Sequence, residues 1–83
     1  MQLEVDNYGS VSVRIIKQAQ GYHRTLIPPG GDVARQLAMV NTHLEAMGEN
    51  PITPEQIREV EMYAKTAWTP EVLSNYMARV VDA

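Results

Sequence analysis

The tetrad Pro28-Pro29-Gly30-Gly31 divides this chain into two parts that obey different periodicities. Two prolines lack N–H donors and two glycines accept any backbone direction, so neither a helix nor a strand runs through it. Before it, apolar residues recur at every second position; after it, they recur at steps of three and four. Strands therefore come first and helices second.

In the first part Leu3 and Val5 alternate with Gln2, Glu4 and Asp6. Asn7-Tyr8-Gly9-Ser10 reads as a turn, after which Val11, Val13 and Ile15 share one face, opposite Ser12, Arg14 and Ile16. Gln18-Ala19-Gln20-Gly21 reads as the next turn, and Tyr22 to Ile27 as a third extended segment rich in β-branched and aromatic residues. This is the pattern of a three-stranded antiparallel meander with one covered face.

The second part carries explicit helix punctuation. Asp32 is suited to cap a helix whose stripe is Val33, Leu37, Val40, Leu44 and Met47, widened by Ala34 and Ala38 and ended by Gly48. Thr53-Pro54-Glu55-Gln56 opens a second helix with a capping box, with Ile52 stapled to Ile57 and a stripe of Ile57, Val60, Ala64 and Ala67. Trp68-Thr69-Pro70-Glu71 repeats the start signal for a third helix, whose stripe is Leu73, Tyr76, Met77 and Val80. Thr69 precedes a proline and is pushed out of helical geometry, so the second helix stops near Ala67 and the third leaves at an angle. The expected architecture is α+β, one domain over residues 1–83. It comprises a β-meander over 1–27, a Pro/Gly hinge at 28–31 and three α-helices over 32–83. The first helix is expected across the sheet, and the other two as an angled pair closing the core.

Chemistry is sparse in this sequence. Cysteine is absent, which removes disulfides, thiol catalysis and cysteine-ligated metals together. His23 and His43 fall in no HxH, HxxxH or HExxH pattern, and none of Ser10, Ser12 and Ser74 sits in a Gly-x-Ser-x-Gly elbow. The glycines before Asp32 lack both the Lys-Ser/Thr of a phosphate loop and the spacing of a dinucleotide fingerprint, and Asp32 places a negative charge where phosphate would lie. No catalytic residue, metal or cofactor is expected, and the chain reads as non-enzymatic.

Charge is uneven. Residues 1–31 carry Arg14, Lys17 and Arg24 against Glu4 and Asp6, whereas residues 32–83 carry four basic groups against eight acidic ones, within a net charge of −3. Such a balance argues against general affinity for nucleic acid. A winged-helix regulator would need a reading helix richer in donors than the third helix, where Arg79 stands beside Glu71, Ser74, Asn75 and Asp82. No apolar run is long enough to span a membrane, and the opening residues lack the character of a secretory leader, so a cytoplasmic protein is expected.

The reading that remains is a small module that binds, and inhibits or modulates, a larger protein complex. Two surfaces are left over from folding: Arg14, Ile16 and Arg24 on the outer sheet, and Glu45, Glu55, Glu59 and Glu61 on the helices. The acidic set is favoured because the helical half carries nearly all the charge imbalance, which would suit a basic partner surface. Alternatives are the winged-helix regulator and a homo-oligomeric structural or assembly protein. In size and style, though in no specific residue, the chain resembles the compact accessory proteins of bacteriophages and other mobile elements, which would place it in a host cytoplasm.

Overall fold

A computed structural model describes residues 2–7, 10–17 and 21–82. Three strands, β1 (Gln2–Asn7), β2 (Val11–Ile16) and β3 (Tyr22–Ile27), form an antiparallel sheet in the order β1-β2-β3. Three helices follow: α1 (Val33–Ala46), α2 (Pro54–Ala67) and α3 (Pro70–Asp82). The α+β meander-then-helices architecture is thus the one expected. The central turn residues Tyr8 and Gly9, and Gln18 to Gln20, lie outside the described residues.

Register sets the two faces of the sheet. Leu3 pairs with Ile15 and Val5 with Val13, while Ile15 pairs in turn with His23, Val13 with Thr25 and Val11 with Ile27. Side chains alternate across a strand, so all of these lie on one side. There Val11, Val13, Ile15 and Ile27 are wholly buried. α1 packs against β3 and α2 against β1, so the central strand lies beneath both helices. From the helices the core takes Val33, Leu37, Val40, Leu44, Val60 and Ala64, with Leu3, Val5, Ile57 and Trp68 at its edge.

The hinge closes as a hydrogen-bonded turn. Gly31 N–H donates to the Pro28 carbonyl at 2.9 Å, and Gly30 takes φ +81°, the geometry of a type II turn with Pro29 and Gly30 at its centre. Asp32 then caps α1 by accepting from the Arg35 N–H at 3.1 Å. The helix ends in a Schellman motif: Gly48 has φ +76°, its N–H donates to Glu45 O, and the Glu49 N–H reaches Leu44 O at 2.9 Å. Thr53 and Gln56 form the reciprocal capping box at 3.0 and 3.1 Å. Thr69 Oγ1 accepts from the Val72 N–H at 3.3 Å, opening α3.

Several sequence expectations are revised. Ala34, Ala38 and Met47 face solvent, so the α1 stripe is the narrower set Val33, Leu37, Val40 and Leu44. α3 does not close the core. Val72, Leu73 and Tyr76 are only partly covered and Met77 is 56% exposed, while the side chain of Val80 lies outside the described residues. The physical reason lies at Trp68, which ends α2 and packs on the rim of the core, so that the chain leaves the sheet before α3 begins.

One interaction had no local signal. The Asn41 side chain, one turn before the end of the α1 stripe, pairs with the backbone of Ile52 in both directions. It donates to the carbonyl at 3.0 Å and accepts from the N–H at 2.6 Å. This holds the α1–α2 loop against α1 and presses Ile52, 2% exposed, into the core. Asn41→Ala leaves both backbone groups unpaired in a partly buried place, and is expected to cost about 1–3 kcal/mol in urea unfolding. A loss below about 0.5 kcal/mol would show that water replaces the clamp without cost.

Candidate functional site

The outer face of the sheet is built from three cross-strand ranks. Gln2, Ile16 and Tyr22 form the first, Glu4, Arg14 and Arg24 the second, and Asp6, Ser12 and Leu26 the third. α1 and α2 both pack on the other side, so neither covers this one, although Ser12 on its central strand is buried among its neighbours. Tyr22 is 49% exposed and Leu26 60% exposed, large apolar groups standing in water on a face whose neighbours are charged.

Tyr22 organises the cations. The guanidinium carbon of Arg14 lies 4.2 Å from the Tyr22 ring centroid and that of Arg24 lies 5.7 Å from it, both within cation–π range. Arg14 also donates from Nη1 to Glu4 Oε2 at 3.2 Å across the β1–β2 pair. Its Nε is shielded and has no hydrogen-bond partner, as a guanidinium laid over a ring would be. Arg14 and Arg24 are direct register partners, an arrangement of like charges that does not stabilise a sheet. The sequence-derived trio Arg14, Ile16 and Arg24 is therefore brought together, and Tyr22 and Leu26 join it. Register places Tyr22 on the outer face and His23 on the inner one.

The acidic set is not one patch. Glu55 and Glu59 are four apart on α2 and fully outward, with Arg58 at 3.6 Å from Glu55. Glu61 lies about 200° around the helix from Glu59. It faces a cavity instead, and Glu45 is exposed on a different helix, α1. That cavity, about 370 Å³, lies between the hinge turn, α2 and the start of α3, with Gly30, Val33, Glu61, Lys65, Trp68 and Leu73 among its walls. Apolar side chains form part of its wall, and of its two acids Asp32 is engaged as the α1 cap. Glu61 and Lys65, one turn apart on α2, are the other charged groups on its wall.

The two histidines meet across the sheet–α1 seam, ring centroids 5.7 Å apart. Among the described residues no group of three His, Cys, Asp or Glu side chains comes together to hold a metal. Nor is any helix among them long and apolar enough to cross a membrane. Comparison with protein-family models, with curated proteins and with solved structures finds no match to this chain.

His23 carries a pH dependence. Partial burial lowers its pKa below the ordinary 6.5, and nearby His43 and Lys17 lower it further. The fold therefore favours the neutral ring and binds fewer protons than the unfolded chain. Its contribution is complete above the ordinary histidine value and is lost as pH falls from there towards the lowered one. His23→Gln is expected to flatten the dependence of the urea midpoint on pH in that window, against the wild type measured in parallel. An unchanged slope would place the acid sensitivity elsewhere.

Proposed function

We propose that this chain is a non-enzymatic protein-interaction module that docks on a larger protein through the outer face of its sheet. The observation that carries the reading is the Tyr22 ring held beside two guanidinia and flanked by exposed Leu26. Tyrosine and arginine are the residue types that concentrate binding energy at interfaces, and here they are already ordered against one another. Ordering before binding reduces the entropy lost on association. The acidic helices support docking less well, because Glu61 and Glu45 do not lie with Glu55 and Glu59.

The scale of the face sets the kind of complex. Three strands about 4.8 Å apart and six residues long present roughly 300 Å², well under the ~800 Å² per partner of a standard stable interface. The module is accordingly a modulator that exchanges rather than a permanent subunit, in keeping with an accessory protein that inhibits or redirects a larger cytoplasmic assembly.

Affinity capture with the wild type and with an Arg24→Glu, Leu26→Asp double variant, both confirmed folded by circular dichroism, tests this. The partner retained by the wild type should bind the double variant at least about tenfold more weakly, about 1.4 kcal/mol. Equal binding by that variant, together with loss of binding in Glu55→Lys, Glu59→Lys, would move the docking surface to α2. Retention on mixed-sequence duplex DNA at about 150 mM salt would replace the reading with the nucleic-acid regulator.

A further inference from the structure

Resting on that docking face, we infer the chemistry of its occupant: an acidic, apolar-flanked segment of the partner protein, whose carboxylates take Arg24 first and then Arg14, displacing Glu4. The two arginines are opposite each other in register, and of these two only Arg14 has a carboxylate partner among the described residues. Arg24 presents a guanidinium fork with no acid to meet it. A carboxylate matches that fork with two parallel hydrogen bonds, which is the geometry the residue is built for.

Glu4 stands in for the second carboxylate of the partner. Its side chain is 52% exposed and that of Arg14 39% exposed. Such a pair is worth little on its own and exchanges easily. The edge strand thus keeps Arg14 extended across the face by a contact that an incoming acid can replace. Tyr22 and Leu26, with Ile16 beside Tyr22, supply apolar surface on either side of the arginine rank. Side chains of the occupant that flank its acids would rest there.

Charge across the face selects a protein segment over a polyanion. The rank runs from Glu4 on β1 through Arg14 to Arg24 on β3, and Asp6 adds a second acid on the β1 side. A nucleic-acid strand carries a negative charge at every step and would meet that acidic edge. It would also need several more cations than this face holds. A segment with acids towards β3 and neutral or basic residues towards β1 meets complementary charge along its whole length.

The probe is a fluorescein-labelled peptide of about twelve residues built from Leu, Glu and Ser. Its Lys-for-Glu counterpart and a labelled oligothymidylate serve as competitor classes, all read by fluorescence polarisation at about 150 mM salt. The Glu peptide should bind about tenfold more tightly than the Lys peptide, and Arg24→Gln should remove that preference. Glu4→Gln should strengthen Glu-peptide binding by about threefold, since it frees Arg14 from its internal partner. Misfolding would raise binding of both peptides alike, so a gain confined to the Glu peptide keeps this arm decisive even if Arg24→Gln perturbs the sheet. Equal binding of the two peptides, or weaker Glu-peptide binding in Glu4→Gln, overturns the acidic occupant, as does tighter binding of the oligothymidylate. If the Glu peptide fails while the captured partner still depends on Arg24 and Leu26, the docking face stands and only its occupant is wrong. If both fail, the docking reading falls as well.

Discussion

The structure depends on burying one side of the central strand. Val11, Val13 and Ile15 are completely enclosed, beneath α1 on the β3 side and α2 on the β1 side. An isolated meander of short strands is marginal in water, because each strand gains too little apolar burial to offset its ordering. α1 supplies Val33, Leu37, Val40 and Leu44 along one edge of that layer, and α2 supplies Val60 and Ala64 along the other. The core holds no phenylalanine, so it is filled by many aliphatic contacts rather than by a few large rings. Such a core tolerates little shift between the helices. That gives the Asn41–Ile52 pairing its importance: it fixes where the α1–α2 loop crosses and hence how α2 meets the sheet.

The same constraint leaves the opposite side of the sheet bare. Every helix lies after the last strand, and beyond the tight turn at Pro28 to Gly31 both α1 and α2 pack on one side of the sheet. The outer face must therefore live in water. A face with no role would be expected to carry alternating charges and small polar groups, as Glu4, Asp6 and Ser12 do. Instead Ile16, Tyr22 and Leu26 stand on it, with Arg14 placed opposite Arg24. These choices help the fold little: Tyr22 and Leu26 are exposed and bury little apolar surface, and like charges in register oppose pairing, offset only by the contacts of Arg14 with Tyr22 and Glu4. A surface that departs from what stability favours is the natural place to look for recognition.

Strands, hinge and helix starts were legible because their causes are local. Period-two alternation at Val11, Val13 and Ile15, the capping box at Thr53 and Gln56 and the glycine after Met47 each act within a few residues. What was not legible is set by distant partners. The periodicity of α3 tells which of its faces is apolar but not whether anything covers that face, and Met77 stands exposed on it. Asn41 looks like any polar residue on a helix until Ile52 is brought beside it. Whether Tyr22 or His23 faces outward turns on the register of β2 with β3, where a slip of one residue reverses every side chain. The acidic residues looked like one patch because they are close in sequence, yet Glu59 and Glu61, two apart on a helix, point to opposite sides.

Charge totals and the local arrangement of charge point to different surfaces. The helical half holds most of the net negative charge, but that charge is spread around two helices, some of it engaged as in the Asp32 cap and the Glu55–Arg58 pair. The sheet half is nearly neutral in total, yet it gathers two of its three cations, Arg14 and Arg24, on one rank beside one ring. Recognition responds to local arrangement rather than to the sum, because screening in salt limits each exposed charge to about 8–10 Å of influence. Within that distance of Tyr22 lie both guanidinia, and only Arg14 of the two has its charge met by an acid, Glu4, so a local cation remains at Arg24 in a molecule that is acidic as a whole.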